Sequence, residues 1–156
     1  MEGKKVMAKL YTIGFTQKSA EKFFMLLREN SVDVVLDVRL NNTSQLSGFA
    51  KYPDIKFFLE SILDVKYIND KEFAPTDYIL KRYKKKEILW DDYVSEFNEL
   101  MNHRKIESYI NAHYADCKDI TYCLLCSESD YKNCHRSLVA ELIKEALDCD
   151  LTIVHL

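Results

Sequence analysis

Residues 120–147, ITYCLLCSESDYKNCHRSLVAELIKEAL, decide the class of fold. The apolar run 120–126 has the length and composition of a buried strand, and a short polar loop follows it. From 134 to 147, apolar residues recur at helical spacing, which predicts a helix with Leu138, Leu142, Ile143 and Ala146 facing inward. A buried strand that leads into such a helix is the repeating unit of a parallel α/β sheet.

The rest of the chain repeats this unit. Strands are predicted at 9–14, 32–39, 65–68 and 151–155, and helices after Ser19 and Asp54 as N-caps, at 78–86, from Trp90, and from Ile106 to His113. The nearly continuous apolar run in 32–39 is typical of a strand buried on both faces. We therefore expect residues 1–156 to form a single α/β domain with a mostly parallel, Rossmann-like sheet flanked by helices.

The composition is that of a globular protein, with 47% hydrophobic and 30% charged residues among 156. No apolar run approaches the roughly 18 residues that a membrane helix needs, and no signal-peptide pattern follows Met1. Five cysteines without a secretory signal favour free thiols in a reducing compartment. These features predict a cytoplasmic protein with no membrane partner, and they specify neither a cofactor nor an oligomeric state.

The charge of the chain bears on nucleic acid as a partner. A formal net charge of −3 disfavours sequence-independent binding to long nucleic acid as the main activity. One basic run, at 81–86, is a local exception, and its simplest interpretation is a solvated helix face. The alternative is a phosphate-contacting surface, which keeps nucleic acid among the candidate partners.

Polar residues stand where three of the predicted strands end. In open α/β sheets, ligands bind beyond the carboxyl ends of the strands, where the connections diverge to opposite faces. The candidate ligand contacts at these ends are Gly14, Thr16, Asp37, Arg39, Cys126 and Glu128. If the three strands are neighbours, one pocket forms there, and its predicted lining comprises Arg39, Cys126, Glu128 and Arg136. The competing expectation for Asp37 and Arg39 is an ion pair with a neighbouring loop.

The helix after the loop adds a positive end to this edge of the sheet. With Asn133 as N-cap, the main-chain N–H groups of the first turn are free to bind an anion, and Arg136 offers a fork-shaped partner for phosphate or carboxylate. The same surroundings lower the pKa of a thiol, so that either Cys126 or Cys134 is a candidate nucleophile. The alternative is that both cysteines are small buried hydrophobic residues.

Two other interpretations use the same thiols. Zinc-ligand side chains are present in this stretch, namely Cys126, Cys134 and His135, with Asp130 or Glu128 as a fourth. Adjacent Cys and His are a poor chelating pair, so a zinc-binding protein is the less favoured alternative and no residue is assigned as a metal ligand. Cys123 and Cys126 form a C-x-x-C pattern, but residues three apart in a strand point to opposite faces, so the redox motif of a helix start is not predicted.

Several short motifs occur in the order and spacing of a known family. They are Thr12-Ile13-Gly14, Asp37-Val38-Arg39 followed by Ser44, Trp90 and Tyr93, Leu124-Leu125-Cys126-Ser127-Glu128, and Cys134-His135-Arg136. In these motifs the chain resembles the domain-of-unknown-function family 488 over nearly its whole length. The resemblance implies an α/β fold and one site shared by the motifs, with Ser44 among its substrate-binding residues.

Four positions depart from the residues that are common in that family. Phe15 stands where a histidine often follows the glycine, Asn42 where a proline is common, Gln45 where an arginine commonly follows the serine, and Tyr131 where a proline often precedes Cys-His-Arg. The loss of a histidine and an arginine leaves fewer cationic groups in the crevice, which favours a diverged substrate or a weakened activity. The thiol-bearing motifs are intact.

Two hypotheses of function follow. The first is an intracellular enzyme that uses Cys126 as a nucleophile or redox-active thiol on a small anionic, nucleotide-like substrate. Arg39 and Arg136 would hold the anion, and Glu128 or His135 would move protons. The second is a binding module without chemistry, in which the helix N-terminus and the arginines hold a phosphate of a nucleotide or nucleic-acid end while the cysteines pack.

Overall fold

The computed structural model describes residues 8–43 and 47–156. Within these ranges five segments are strands, β1 Ala8–Gly14, β2 Val34–Asp37, β3 Lys66–Asn69, β4 Tyr122–Cys126 and β5 Leu151–His155. They form one sheet in the order β3-β2-β4-β1-β5, and all neighbouring strands are parallel. The predicted α/β fold with a Rossmann-like parallel sheet is confirmed.

Six α-helices connect the strands in the described ranges. They are α1 Ala20–Glu29, α2 Asp54–Phe57, α3 Asp77–Lys84, α4 Trp90–His103, α5 Ile106–His113 and α6 His135–Leu147. Side chains cap two of them at the start, since the Ser19 hydroxyl accepts a bond from the Lys22 N–H at 3.1 Å and the Thr76 hydroxyl accepts one from Ile79. The predicted Ser19 cap is therefore confirmed.

The helices cover both faces of the sheet. On one face, Phe23 and Leu27 of α1 and Ile55 of α2 pack against strand residues that include Val35. On the other face, α3 to α6 pack against alternate residues of the same strands, for example Leu124. Strand side chains alternate between the faces, so each strand contributes to both cores, which accounts for the nearly continuous apolar runs in the sequence.

Strand β4 lies between β1 and β2 and sets the position of the site. Cys126 at its end pairs with Gly14 at the end of β1, and Leu125 pairs with Asp37 at the end of β2. The connections after β1 and β2 run on one face, through α1 and α2, whereas the connection after β4 runs through α6 on the other. Diverging connections leave a crevice at the carboxyl end of β4, where Cys126 stands.

The buried side of α6 differs from the predicted one. Its fully buried residues are Arg136, Val139, Ala140 and Ile143, with Leu147 at the end, whereas Leu138, Leu142 and Ala146 are half-buried. Because Arg136 points into the protein, the helix is rotated about its axis relative to an orientation that would expose this charge. The N-cap is Cys134 and not Asn133, since residues Tyr131–Asn133 form a separate 3₁₀ turn.

The start and end of α2 also differ from the prediction. Pro53 occupies the N-cap and Asp54 is the first helical residue, which suits proline because it has no N–H to leave unpaired. Helical spacing predicts Ile62 on the buried side, yet it is 67% exposed. The turn Phe58–Ile62 is π-helical, and its wider turn carries Ile62 away from the core.

Local sequence pattern predicts the position of Cys123 but not the burial of Cys117. Cys123 lies in the core on the α1 side of the sheet and Cys126 on the α6 side, as predicted for residues three apart in a strand. Cys117 stands among charged residues in the sequence, which favours a polar turn, yet it is buried, because the 3₁₀ turn Ala115–Lys118 packs against the core.

No helix in residues 8–43 and 47–156 is long and apolar enough to cross a lipid bilayer.

Candidate functional site

A cavity of about 880 Å³ lies at the carboxyl edge of the sheet. One part of its wall consists of residues that follow strands or begin α6, among them Phe15, Arg39, Cys126, Glu128, Cys134 and His135. The other part consists of α3, the start of α4 and the segment between them, including Tyr83, Lys84, Lys86, Trp90 and Tyr93. A volume of this size is typical of small-molecule sites, which span roughly 300–1,000 Å³.

A thiol and an imidazole face each other on this wall. The Cys126 sulfur lies 3.6 Å from Nδ1 of His135, and Nε2 of His135 lies 2.7 Å from the carbonyl oxygen of Val38. A carbonyl only accepts, so Nε2 carries a proton and donates it. Nδ1 is then the nitrogen that can take the proton of the Cys126 thiol. Strand β2 thus fixes the tautomer through Val38, the residue that follows it.

Cys134 completes a cluster that we call the thiol centre, namely Cys126, Cys134 and His135. The Cys134 thiol acts as a hydrogen-bond donor and lowers the pKa of Cys126, against the opposing effect of burial. The Ser127 N–H and the positive charge of Arg136 lower that pKa further. The pKa of Cys134 is raised well above its ordinary value by the same bond and by burial. Of the two thiols, Cys126 is therefore the one whose surroundings favour loss of the proton.

Arg136 holds the loop that follows Cys126 from behind. Its side chain is fully buried and donates from Nε to the Thr12 hydroxyl at 3.2 Å, from Nη1 to the Glu128 carbonyl, and from Nη2 to the Ser129 carbonyl at 3.4 Å. We call this arrangement the arginine clamp. Arg136 does not line the cavity. The prediction that it does is wrong, because its donors are bonded to these protein oxygens instead.

Gly14 and Thr16 fix the same loop from below. A Cβ atom on Gly14 would lie 1.7 Å from the Glu128 carbonyl oxygen, so only glycine allows this close approach of loop and strand. Thr16 donates to the Ser127 carbonyl from its N–H at 3.1 Å and from its hydroxyl at 2.8 Å. Both residues were predicted to contact a ligand, but neither lines the cavity, and their contacts are with the loop.

The clamped carbonyls determine where the loop N–H groups point. In a trans peptide, the carbonyl of one residue and the N–H of the next point in opposite directions. The carbonyls of Ser127, Glu128 and Ser129 point to Thr16 and Arg136, so the next three N–H groups, of residues 128–130, point the other way. Within the part of the chain that the structure describes, these three N–H groups have no acceptor.

Arg39 is held at the cavity by Asp37. Its Nε and Nη2 donate to the two Asp37 oxygens at 2.8 Å each, and Nη2 also donates to the Ala50 carbonyl at 2.8 Å. The Tyr67 hydroxyl donates to Asp37 as well, and burial followed by the Asp37 charge raises the pKa of Tyr67. The competing expectation of an ion pair with a neighbouring loop is wrong, because Asp37 and Arg39 pair with each other.

The two partners differ in their access to the cavity. Arg39 lines it and lies over the Phe15 ring, 5.1 Å from the ring centroid, whereas Asp37 is fully buried behind Arg39. No described residue accepts a bond from Nη1 of Arg39. Glu128 also lines the cavity, while Ser44 lies outside the described residues.

The thiol centre has the chemistry to hold a metal ion. The two sulfurs and the ring nitrogen of His135 lie within 4.8 Å of one another, despite the adjacency of Cys134 and His135 in sequence. They converge because Cys134 is the extended N-cap and His135 the first residue of α6. Neither Asp130 nor Glu128 joins this group of three among the described residues.

An aromatic wall of Trp90, Tyr93 and Tyr83 lines the cavity, as the resemblance implies for the first two. Trp90 and Tyr93 stack with ring centroids 5.0 Å apart and planes 13° apart, and Tyr83 packs on Tyr93 at 5.1 Å. Helical spacing places Trp90 and Tyr93 on one side of α4, which local pattern alone interprets as core. The signal that singles them out is their presence among the family motifs.

Fold and site together define a class, that of parallel α/β proteins with a thiol–imidazole pair at the carboxyl edge of the sheet. The family described as "Domain of unknown function DUF488" matches residues 19–143, well over half of the chain, and the protein belongs to this family. The matched range contains the thiol centre, Asp37 and Arg39, whereas Gly14 and Thr16 precede it. No curated protein and no solved structure matches the chain.

Proposed function

We propose that this protein is a cytoplasmic, thiol-dependent enzyme that acts on a small anionic, nucleotide-like substrate. The observation that carries the proposal is the contact of 3.6 Å between the Cys126 sulfur and Nδ1 of His135 on the wall of the cavity. A thiol beside a base that is itself oriented by a third group is the arrangement of an activated nucleophile. Here the third group is the Val38 carbonyl.

The chemistry begins with transfer of the Cys126 proton to Nδ1 of His135, which gives a thiolate beside an imidazolium. The thiolate sulfur forms a bond to the electrophilic centre of the substrate, the bond to the leaving group breaks, and the imidazolium proton passes to that group. Water then displaces the sulfur and returns a proton to Nδ1. Glu128 is a second candidate for proton transfer, but the direct contact favours His135.

Two sets of donors support an anionic substrate. The N–H groups of residues 128–130 point away from Thr16 and the arginine clamp and have no acceptor among the described residues, so they can bind an oxyanion beside the thiol. Nη1 of Arg39 is a charged donor on the same wall. Arg136 contributes its positive charge from behind the loop without contact to the substrate.

The other part of the cavity wall supports a substrate with a planar ring. Trp90 and Tyr83 provide aromatic surface on which a base can stack, a contact worth roughly 1–3 kcal/mol per base. Lys84 and Lys86 lie on the same part of the wall and add positive charge for a phosphate. A nucleotide has both features, an anion and a flat ring, in one small molecule.

Protection of Cys126 from alkylation tests the proposal. Iodoacetamide labelling at neutral pH, followed by peptide mass spectrometry, should find Cys126 modified faster than Cys117 and Cys123, whose thiol pKa values are raised by burial. Adenosine monophosphate should slow labelling of Cys126 several-fold, and Trp90→Ala should reduce that protection. If Cys126 stays unmodified while Cys149 reacts, or if no nucleotide protects it, the proposal fails.

A binding module without chemistry is the second candidate, and the aromatic wall with its two lysines favours it. In that case Cys126→Ser should bind adenosine monophosphate as tightly as the native protein does. Native protein that is alkylated at Cys149 should bind it equally tightly. Lys86→Glu should weaken binding in either case. An enzyme is favoured instead if Cys126→Ser binds the nucleotide but abolishes every turnover that the native protein catalyses.

A further inference from the structure

The thiol centre contains two sulfurs, and the proposed mechanism uses only one of them. Both cysteines are free thiols, and their sulfurs lie within 4.8 Å of each other. One ends β4 and the other is the N-cap of α6, so both have a fixed main chain but a side chain that can turn about its χ1 bond. Only the loop 127–133 separates them in sequence.

The two sulfurs are also unequal in a way that suits disulfide formation. The Cys126 sulfur lies 3.6 Å from Nδ1 of His135, which can take its proton, and the Cys134 thiol, the Ser127 N–H and Arg136 lower the pKa of Cys126 as well. A thiolate is the form that reacts with peroxides, and a second thiol nearby is what resolves the resulting sulfenic acid. Cys126 is the thiol that can become a reactive thiolate, and Cys134 is the second thiol nearby that can resolve a sulfenic acid.

We propose that Cys126 and Cys134 form a redox modification site, in which a hydroperoxide oxidises Cys126 and Cys134 then closes a reversible disulfide. This inference depends on a reactive Cys126 thiolate but not on any substrate of the proposed enzyme. It gives Cys134 a role of its own, as the resolving thiol of the pair.

The chemistry balances in two steps. The Cys126 thiolate attacks the distal oxygen of the hydroperoxide, the O–O bond breaks, and sulfenic acid and an alkoxide or hydroxide ion result. The Cys134 sulfur then attacks the Cys126 sulfur, the S–O bond breaks, and the hydroxyl leaves as water with the thiol proton of Cys134. Two sulfurs have each lost one electron and the peroxide has gained two. A dithiol reductant restores the starting state by exchange.

Oxidation would remove the nucleophile from the cavity. Once the Cys126 sulfur is bonded to Cys134, it has neither a proton to give to Nδ1 of His135, 3.6 Å away in the reduced form, nor a free thiolate. The disulfide form therefore lacks the thiolate–imidazolium pair and is protected from further, irreversible oxidation. Peroxide would thus switch the proposed enzyme off, and a dithiol would switch it on again.

Peptide mapping of the native protein tests this inference directly. Reduced protein is treated with hydrogen peroxide, remaining thiols are blocked with N-ethylmaleimide, and trypsin cleaves after Lys118, Lys132 and Arg136. A disulfide between Cys126 and Cys134 joins peptides 119–132 and 133–136, and dithiothreitol should release them. Cys123 also lies in peptide 119–132, so Cys123→Ala must give the same disulfide link between the two peptides.

The chain offers a matched control pair in Cys117 and Cys149. Burial raises the pKa of Cys117 to about 12, and Asp116 and then the nearby Cys149 contribute to the same shift. Among the described residues neither thiol belongs to the cluster around His135, and the pKa of Cys117 is raised, so peptides 106–118 and 145–156 should be joined at least tenfold more slowly. If they are joined as fast, proximity alone accounts for the reaction and the inference is overturned.

The result also separates this inference from the proposed function. Cys134→Ser should leave alkylation of Cys126 fast but convert the peroxide product to a sulfenic acid, trapped by dimedone, or to a sulfinic acid. Accumulation of those products in the native protein, without the linked peptides, would refute the resolving role and leave the proposed enzyme intact. Linked peptides, without any protection of Cys126 by a nucleotide, would support the disulfide and refute the proposed enzyme.

Discussion

The arginine clamp and the thiol centre lie side by side at the end of β4 and are equally buried, yet their polar groups are used differently. In the clamp, each side-chain nitrogen of Arg136 meets a protein oxygen. In the thiol centre, Cys126 meets only weak or shared partners and faces the cavity. A buried polar group whose bonding capacity is used up by the protein supports the structure, whereas one that is polarised and left accessible is available for chemistry.

The largest expected effect is on the clamp. Arg136→Ala removes three hydrogen bonds and leaves the Glu128 and Ser129 carbonyls without partners. Bonds to a charged group contribute roughly 1.5–3 kcal/mol each, so the free energy of unfolding should fall by about 4 kcal/mol or more. Urea denaturation measures the free energy of unfolding. Arg28→Ala, at an exposed arginine, is the control and should change it by no more than about 0.5 kcal/mol. A loss under about 1 kcal/mol would show that the clamp is not structural.

The next largest effect is expected for the ion pair behind the cavity. Asp37→Asn leaves the guanidinium of Arg39, which is 3% exposed, without its charged partner and should lower the free energy of unfolding by about 3 kcal/mol. Asp77→Asn is the matched control, because it breaks an exposed pair with Lys81 and should change stability by about 0.5 kcal/mol at most. Equal effects of the two changes would contradict the structural role of Asp37.

Gly14 provides a steric test of whether the loop after Cys126 is held against β1. Gly14→Ala places a methyl group against the Glu128 carbonyl and should lower the free energy of unfolding by roughly 1–3 kcal/mol. The displaced loop should also slow alkylation of Cys126. Gly48→Ala is the control, since nothing lies within 4 Å of an added Cβ there. If both glycines accept alanine equally, the loop is not held against β1.

The sequence indicates the strands and the edge that carries the site because apolar runs and polar strand ends are local signals. Val32 to Val38 is nearly continuous in apolar residues, and Cys126 interrupts such a run just before Ser127 and Glu128. These positions follow from the alternation of strand side chains and from the rule that ligands bind beyond the carboxyl ends of parallel strands. The order of the strands, which makes β4 the centre of the site, is not a local signal.

What the sequence does not determine is the direction in which a polar side chain points. Arg136 and Arg39 both stand at the predicted edge, but the carbonyls of a loop draw Arg136 inward while Asp37 holds Arg39 at the cavity. Trp90 and Tyr93 have the spacing of core residues, and only tertiary packing brings them to the cavity wall. Such outcomes depend on which acceptors and packing partners the folded chain brings to a side chain, and periodicity does not contain that information.

The pH dependence of Cys126 alkylation tests the central claim most directly. The rate is measured by mass spectrometry between about pH 5 and 10, with the same cysteine in urea-denatured protein as reference, near the ordinary thiol pKa of roughly 8.5. Because the folded surroundings lower the pKa of Cys126, its reactivity should rise through a midpoint below the reference and persist to lower pH. Replacement of its donor in Cys134→Ala should move the midpoint upward. A midpoint in the folded protein at or above the reference would show that Cys126 is an ordinary buried thiol and would contradict the account.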